Sequence, residues 1–295
     1  VAILVIALGM QVLPAGRPEA HPSFDWGGIF SLSLLLTSFA YGLNQIDTEN
    51  FMSSLASLNV WPFILAALGL LIAFIQFEKR AVDPILKLDL FKSRQSVLAS
   101  ALAAGAGIGE VSMVFLPALA IAALPQAVDK STASYMLMPV VLAMAVGSPL
   151  AGRLLDRFGS RVVVTAGTSL LAIGVLMLSA WSTVLWLFIA AGVIIGLGLS
   201  ALLGAPVRYI MLNEAPASQR TSAQGAIALF TSIGQLISSA MVGAIAASAG
   251  GAVAGYSAAY LSIGILSIIL VVLTFGLKSR QDELQMVAEH GGVRT

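Results

Sequence analysis

The sequence contains no cysteine and only two histidines, His21 and His290. Without cysteine the chain forms no disulfide and offers no thiolate as a nucleophile or a metal ligand. Both histidines lie outside the apolar runs, so the usual ligands cannot assemble a zinc site. We therefore expect no metal, no cofactor and no catalytic residues, and we expect that the protein is not an enzyme.

Charged residues are also scarce, at 10% of the chain, where soluble domains carry roughly a quarter. Hydrophobic residues make up 58% and the mean hydropathy is +0.96, which indicates that lipid is the main solvent. A net charge of +1 leaves no basic patch of the size that nucleic acid binding needs. The composition favours a membrane protein and excludes nucleic acid as an expected partner.

Apolar runs of about 20 residues recur along the chain, each long enough to cross a hydrocarbon core about 30 Å thick. Segments with proline, glycine, aspartate, asparagine and arginine separate these runs, which is ordinary helix punctuation. The runs predict nine spans, at 1–13 (the end of a helix), 27–46, 58–77, 96–124, 133–151, 162–180, 184–205, 223–247 and 255–277.

The basic residues alternate from one side of the predicted membrane to the other, and lysine and arginine favour the cytoplasmic side. One set of alternate segments holds only Lys130; its turns lie near Asp47, Asp129, Trp181 and Gly250. This alternation supports the span assignment and predicts a cytoplasmic C-terminus. The other set holds 14 of the 15 basic residues: Arg17, Lys79, Arg80, Lys87, Lys92, Arg94, Arg153, Arg157, Arg161, Arg208, Arg220, Lys278, Arg280 and Arg294.

The longest predicted cytoplasmic connector, 78–95, is amphipathic, because leucine, isoleucine and phenylalanine are interspersed among its charges. Two interpretations remain open for it. Either it lies in the membrane interface with its basic residues at the headgroups, or it forms a regulatory lipid site.

Glu110 alone among the acidic residues lies well inside an apolar run. A charged carboxylate at bilayer depth costs about 3 kcal/mol or more unless it has a partner, a water-filled cavity or a proton to carry. Two interpretations follow. Glu110 binds and releases a proton or a cation, or it is a protonated packing residue that is hydrogen-bonded to a neighbouring helix.

The residues around Glu110 carry two further signals. Glycines at 105, 107 and 109 are typical of close approach by another helix, although glycine with Pro117 also permits the bending that a moving helix needs. Flexible and aromatic side chains suit an adaptable binding cavity, although such residues also face lipid. As candidates for the cavity wall we select Met113, Tyr135 and Gln235.

A dense motif occupies residues 152–161, where we predict a short cytoplasmic turn between two spans. Gly152 is expected to let two helices approach, and Gly159 to make the turn. Asp156 is placed to cap the following helix or to pair with an arginine across the loop. The candidate residues of the motif are Gly152, Asp156, Arg157, Gly159 and Arg161.

This motif resembles the signature loop of the major facilitator superfamily, in which a glycine, an aspartate followed by a basic residue, a second glycine and further basic residues recur at this spacing. The resemblance implies a charge latch between helices that separate during the transport cycle. Ser160 stands where the family commonly has a basic residue, which implies a weaker latch. Because the family carries its better copy in the first half, the motif here is either a latch or chiefly structural.

Two further regions are similar to drug exporters of the same family. Residues 220–225, followed by Gly234 and Gly243, resemble their penultimate helix, and residues 24–27 resemble the loop that introduces their extra helices. Two spans before a six-helix half are similar to the layout of the fourteen-helix drug:proton antiporters. The resemblance covers nearly the whole chain.

The predicted fold is all-α: a polytopic membrane helix bundle of the major facilitator type, with a C-terminal six-helix half plus an inserted helix pair. Because the chain begins inside an apolar run without methionine, we expect the N-terminal half of the transporter to be missing. The predicted parts are the end of helix six (1–13), a cytoplasmic loop (14–26), the inserted hairpin (27–77), the amphipathic linker (78–95), the six-helix bundle (96–277) and a cytoplasmic tail (278–295).

By this resemblance the complete protein exports amphipathic or cationic drugs in exchange for protons, as a multi-pass protein of the bacterial inner membrane. Its expected partners are the lipid bilayer, a small-molecule substrate, protons and the missing N-terminal half, and Glu110 is the candidate for proton or cation coupling. The alternatives are a same-fold exporter of a defined metabolite or siderophore and a noncatalytic membrane scaffold. An intramembrane enzyme would need paired aspartates, a histidine cluster or an activated nucleophile at membrane depth, which the sequence does not show. An ion channel would need a ring of charges or a carbonyl filter motif, and neither is evident.

Overall fold

A computed structural model describes residues 25–46, 53–54, 57–81, 84, 86–216, 219–248 and 252–283. The described residues form nine α-helices and two short 3-10 helices, and no strand occurs among them. The 3-10 helices are Leu88–Lys92 and Ala133–Leu137. The α-helices are α1 (Trp26–Asn44), α2 (Trp61–Arg80), α3 (Arg94–Ala123), α4 (Met138–Phe158), α5 (Ser160–Trp181), α6 (Leu185–Leu203), α7 (Ala205–Glu214), α8 (Arg220–Ser248) and α9 (Val253–Thr274).

Eight helical stretches of the described residues are long and apolar enough to cross a membrane. They coincide with eight of the nine predicted spans, and most ends differ by three residues or fewer. The remaining predicted span, 1–13, lies outside the described residues. The prediction of an all-α, polytopic membrane bundle is confirmed.

The helix ends follow ordinary capping rules. The Asp25 side chain accepts a hydrogen bond from the Gly28 N–H at 2.8 Å at the start of α1. Ser93 caps α3 in the same way, since its hydroxyl accepts from the Gln95 N–H at 3.2 Å. Lys79 lies in the last turn of α2, where a positive charge offsets the carbonyl end of the helix dipole.

The predicted turn at 152–161 is wrong for most of its length. α4 continues to Phe158 and α5 begins at Ser160, so Gly159 alone separates the two helices. The leucines and arginines of the motif are good helix formers, and nothing between Gly152 and Gly159 breaks the helix. Gly159 has a φ of +83°, a conformation that strains other residues, so it makes the turn as predicted.

The predicted span 184–205 ends in a break that the sequence analysis did not anticipate. Gly204 has φ −81° and ψ −152°, and the short helix α7 begins immediately after it with Pro206 in its first turn. Proline suits the start of a helix because it lacks the N–H that would be unsatisfied there. Arg208 therefore lies on a helix that continues beyond the apolar run.

The connector between α2 and α3 packs against the rest of the protein through its apolar side chains. Leu86 and Leu90 are buried, and the Phe91 ring lies 5.7 Å from the Phe230 ring of α8 in an edge-on arrangement. The Leu86 N–H donates to the carboxylate of buried Glu78 at 3.1 Å. The apolar residues of the connector thus fix the start of α3 against α8.

The helices pack mainly in pairs. α3 lies along α8, α5 lies between α6 and α9, and α4 lies along α6. α1 and α2 form a hairpin that touches the rest of the molecule chiefly through α8. The core contains large fully buried side chains such as Phe188 and Tyr260, whereas exposed apolar side chains such as Leu34 and Ile72 face outward, as lipid requires.

Candidate functional site

Glu110 lies near the middle of α3, about 24 Å along a helix about 45 Å long. Its carboxylate oxygen Oε2 accepts a hydrogen bond from Gln235 Nε2 at 2.7 Å. Both side chains are partly buried. Two residues that the sequence suggested for separate roles, the proton carrier and the cavity wall, are therefore direct partners.

The contact between α3 and α8 depends on two glycines. A Cβ at Gly107 would overlap the carbonyl oxygen of Thr231, and a Cβ at Gly234 would overlap the carbonyl oxygen of Ala104. The two backbones approach closely only because neither position has a side chain. Glu110 lies one turn beyond Gly107, so the crossing sets its distance from Gln235.

The two other glycines before Glu110 also face neighbouring helices. Gly105 packs against Leu270 of α9, and Gly109 packs against Leu171 of α5. The packing interpretation of these glycines is confirmed.

Two further hydrogen bonds hold α3 on either side of Glu110. Ser238 Oγ donates to the Ile108 carbonyl at 3.3 Å, and the Tyr260 hydroxyl donates to the Ser112 carbonyl at 2.5 Å. Tyr260 is fully buried, and a buried phenol needs such a partner. The sequence analysis missed Tyr260, because an apolar run gives no sign of which tyrosine points inward.

No cationic side chain lies within 4 Å of Glu110 among the residues that the structure describes. Its partner is a neutral amide, which satisfies one oxygen but does not neutralise a charge. A carboxylate in this position must be protonated, be solvated by water or be paired with a cationic ligand.

A cavity of about 880 Å³ lies beside this site, between α1, α3 and α8. Ser239, one turn after Gln235, lines it together with apolar side chains. Other lining residues include Thr37, Tyr41, Asn44, Phe115 and Gly243.

The predicted cavity-wall residues are not among the lining of this cavity. Met113 is partly buried and packs against the core, and Tyr135 is 63% exposed on the 3-10 helix before α4. Gln235 is the one of the three that the structure joins to Glu110. The assignment of Met113 and Tyr135 to a substrate cavity stays a prediction.

The motif at 152–161 does not make the contacts expected of it. A Cβ at Gly152 would meet no atom within 4 Å, so this glycine does not mark a close helix approach. Asp156 is exposed, and among the described residues it neither caps α5 nor pairs with an arginine. Arg157 is exposed with its guanidinium 5.2 Å from the centre of the Phe158 ring, and Arg161 is partly buried.

The first turn of α5 is instead capped by the residues after α9. The Glu283 carboxylate accepts hydrogen bonds from the Ser160 N–H at 3.3 Å and from the Ser160 hydroxyl. A carboxylate is favourable there because the N-terminus of a helix carries partial positive charge. Arg280 Nη1 donates to the Leu155 carbonyl at 3.5 Å. Glu283 thus ties the first turn of α5 to the residues after α9.

A second polar cluster joins three helix ends at the same side of the bundle. Lys278 Nζ lies 2.6 Å from Glu214 Oε1, and the Ser93 hydroxyl donates to Glu214 Oε2 at 2.5 Å. The Gln95 side chain donates to the Gly276 carbonyl at 3.1 Å and accepts from the Lys278 N–H at 3.1 Å. These contacts connect the start of α3 with the ends of α7 and α9.

No three histidine, aspartate or glutamate side chains converge in the part of the chain that the structure describes. The charged side chains that make polar contacts between helices include Glu110, bonded to Gln235 in the membrane, and those of the two clusters at one end of the bundle.

Comparison with known proteins gives a consistent result. An uncharacterized MFS-type transporter of Bacillus subtilis, YfiU, is 29% identical over 240 residues, which cover 79% of this chain and 45% of that protein. The multidrug resistance protein Stp of Mycobacterium tuberculosis is 26% identical over 250 residues, covering 83% and 44%. A triacylglyceride transporter of Mycobacteroides abscessus is 28% identical over 259 residues, covering 82% and 49%. The chain spans a little less than half the length of these relatives.

The family profile described as Major Facilitator Superfamily matches residues 98–290, which is well over half of the chain. This region contains all but the first four residues of α3 and the rest of the bundle as far as α9, including Glu110 and the motif at 152–161. Proteins of this family are transporters and not enzymes. The chain is a multi-pass membrane protein of the Major Facilitator Superfamily.

Proposed function

We propose that this chain is the second half of a fourteen-helix exporter that expels amphipathic or cationic drugs in exchange for protons. Glu110 carries the proton. The name of the relative Stp, a multidrug resistance protein, supports the substrate class. The bacterial origin of the relatives supports an inner-membrane location, and the distribution of basic residues supports a cytoplasmic C-terminus.

One observation carries the proposal: a carboxylate in the middle of a membrane helix has a neutral amide as its partner and, among the residues that the structure describes, no cationic side chain within 4 Å. The Gln235 amide has two N–H donors and one carbonyl acceptor. It can therefore donate to an ionised Glu110 and, after rotation of the amide, accept from a protonated one. Such a pair can load and release a proton without losing its contact.

Transport in this fold requires two halves that rock against each other around a site at their interface. The close crossing of α3 and α8 keeps Glu110 and Gln235 in a fixed relation within this half while the other half moves. A cationic substrate that reaches the ionised carboxylate replaces the proton as its neutralising charge. Proton and substrate then compete for Glu110, which is the basis of exchange.

The test is efflux of a fluorescent lipophilic cation from cells that express the gene in full. The parent is compared with Glu110→Gln, with and without a proton uncoupler. Glutamine keeps the size and the hydrogen-bonding capacity of the side chain but carries no proton. We expect uncoupler-sensitive efflux from the parent and background efflux from the variant at equal protein level.

Asp89→Asn is the matched control, because Asp89 is an exposed carboxylate outside the membrane helices. This variant should pump like the parent. Normal pumping by Glu110→Gln would make Glu110 a packing residue and would leave the proton site elsewhere.

A second candidate is an exporter of the same fold for one defined substrate. The triacylglyceride transporter among the relatives favours it. In that case the lipophilic cation is not exported by the parent, while Glu110→Gln still impairs export of the natural substrate. A membrane scaffold would differ from both, since Glu110→Gln would change neither transport nor stability.

A further inference from the structure

An apolar groove of about 310 Å³ runs along the outside of the bundle between α4 and α5, with α6 as its floor. Its floor is made of small residues: Gly147 packs against Ser200, and Gly167 packs against Ala201. Larger side chains form its rims. Leu150, Phe158 and Val162 line the groove and are each 44–54% exposed.

The length of the groove is similar to the thickness of the acyl-chain layer of one membrane leaflet. Along α4 it extends from Gly147 to Phe158, which is about 16 Å at the rise of an α-helix. Half of a hydrocarbon core is about 15 Å thick. Residues 152–158 lie beyond the predicted apolar run, so the groove runs from the membrane interface into the adjacent part of one leaflet.

Positive charge lies at the outer end of the groove. Arg157 follows Leu150 by seven residues, which places both on one stripe of α4, and its guanidinium lies 5.2 Å from the centre of the groove-lining Phe158 ring. Arg153 is one turn earlier, on the flank of α4 rather than on the groove face. Both arginines are exposed, and neither has an acidic partner within 4 Å in the described residues.

The acidic residue of this end of α4 points away from the groove, and Glu283 is engaged by Ser160 at the first turn of α5. Asp156 follows Gly147 by nine residues, or two and a half turns, and so lies on the opposite side of α4. The basic residue Arg161 also lies away from the groove, on the far side of α5, where its charge interacts with that of Asp282. The charge at the groove is therefore net positive, whereas its walls are apolar.

We propose that this groove binds an anionic phospholipid, with an acyl chain between α4 and α5 and the phosphate at Arg157. Basic pockets between membrane helices at the cytoplasmic side are known to take such headgroups. Arg157 is on the cytoplasmic side in the proposed topology, so the lipid belongs to the inner leaflet. The site is independent of Glu110 and of proton coupling.

The first experiment uses the unaltered protein in nanodiscs of phosphatidylcholine that contain a phosphatidylglycerol with a photoreactive acyl chain. After illumination, the labelled peptides are identified by mass spectrometry. We expect labelling concentrated between Gly147 and Leu170, with competition by unlabelled phosphatidylglycerol and not by phosphatidylcholine. Labelling spread evenly over all membrane helices, or equal competition by both lipids, would overturn the proposal.

The second experiment measures the affinity for phosphatidylglycerol of variants in detergent by native mass spectrometry. Arg157→Gln removes the headgroup contact, and we expect affinity to fall roughly fivefold. Ala166→Phe fills the groove from an exposed lining position, and we expect at least as large a loss.

The matched controls are Arg220→Gln, at an exposed arginine at the same end of the bundle, and Ala66→Phe, at an exposed alanine of α2. Neither should change the affinity. If Arg157→Gln and Arg220→Gln have equal effects, or if Ala166→Phe binds like the parent, the lipid is held by surface charge alone and the groove is not its site.

Discussion

Asp129 shows how one side chain organises the turn between α3 and α4. Its Oδ1 accepts from the hydroxyls of Ser131 and Thr132, each at 2.8 Å, and from their backbone N–H groups at 2.9 and 2.8 Å. These donors favour the ionised form. They lower the pKa of Asp129 from its ordinary value to about 2, with the Ser131 and Thr132 hydroxyls as the main causes.

A carboxylate whose pKa is lowered by folding contributes stability above its ordinary pKa, near 4, and loses it as the pH falls towards 2. We predict that the parent has a higher unfolding midpoint than Asp129→Asn at neutral pH. The difference should shrink between about pH 4 and about pH 2. The measurement is thermal unfolding across this pH range, with Asp156→Asn as a control, because Asp156 lacks such hydrogen bonds. A difference that does not depend on pH would contradict the assignment.

The sequence analysis selected Glu110 as a carboxylate in an apolar run and Gln235 as a candidate for the cavity wall. Their contact was not predicted, because it joins residues 125 positions apart and depends on the register between α3 and α8. Gly107 against Thr231 and Gly234 against Ala104 set that register. In a membrane, hydropathy indicates only coarsely which face of a helix packs against protein, because lipid and protein neighbours are both apolar.

The crossing of α3 and α8 gives a prediction at the scale of elements. Gly234→Ala places a methyl group against the Ala104 carbonyl, so the helices must separate, and we expect a loss of about 1–3 kcal/mol of stability. Gly225→Ala on the same helix is the control, because its Cβ would meet no atom within 4 Å. Thermal unfolding should show a lower midpoint for the first variant only, whereas equal midpoints would mean that the helices are not in close contact at Gly234.

Two lysine–carboxylate pairs of equal length allow a second test. Lys278 lies 2.6 Å from Glu214, whose side chain is 12% exposed, and Lys92 lies 2.6 Å from Asp89, whose side chain is 72% exposed. Lys278→Met should cost about 1–3 kcal/mol, because it leaves a mostly buried carboxylate without its cation. Lys92→Met should have no measurable effect on the unfolding midpoint, because water screens that pair.

A repair variant completes this experiment. Adding Glu214→Gln to Lys278→Met removes the uncompensated charge and should restore part of the lost stability. If the double variant is less stable than Lys278→Met, the charge on Glu214 is not the origin of the loss.

The membrane spans could be predicted because a bilayer demands a run of about 20 apolar residues and leaves little room for ambiguity. The same criterion fails where a helix leaves the membrane. α4 continues to Phe158, within the motif at 152–161, and α7 follows the break at Gly204. Hydropathy alone does not distinguish a polar helical segment from a loop. The cap of α5 by Glu283 was equally invisible, because that residue falls in the predicted tail.

The whole molecule is tested most directly through its topology. The absence of native cysteine allows single cysteines to be placed at Ser131 and at Arg157, both exposed and at opposite ends of α4. We predict that an impermeant thiol reagent labels Ser131→Cys from outside intact cells and Arg157→Cys only after the membrane is opened. Labelling of both from the same side would contradict the alternation of basic residues and the cytoplasmic C-terminus.

The residues after α9 have a consequence for biogenesis. Lys278 and Glu283 contact residues as far back as Gln95, 183 positions earlier in the chain. A ribosome therefore delivers these partners only after every membrane helix of the bundle has been translated. During that interval Glu214 lacks its lysine and the first turn of α5 lacks its carboxylate. A quality-control protease that recognises unprotected helix ends would thus distinguish an unfinished bundle from a finished one by six late residues, 278–283.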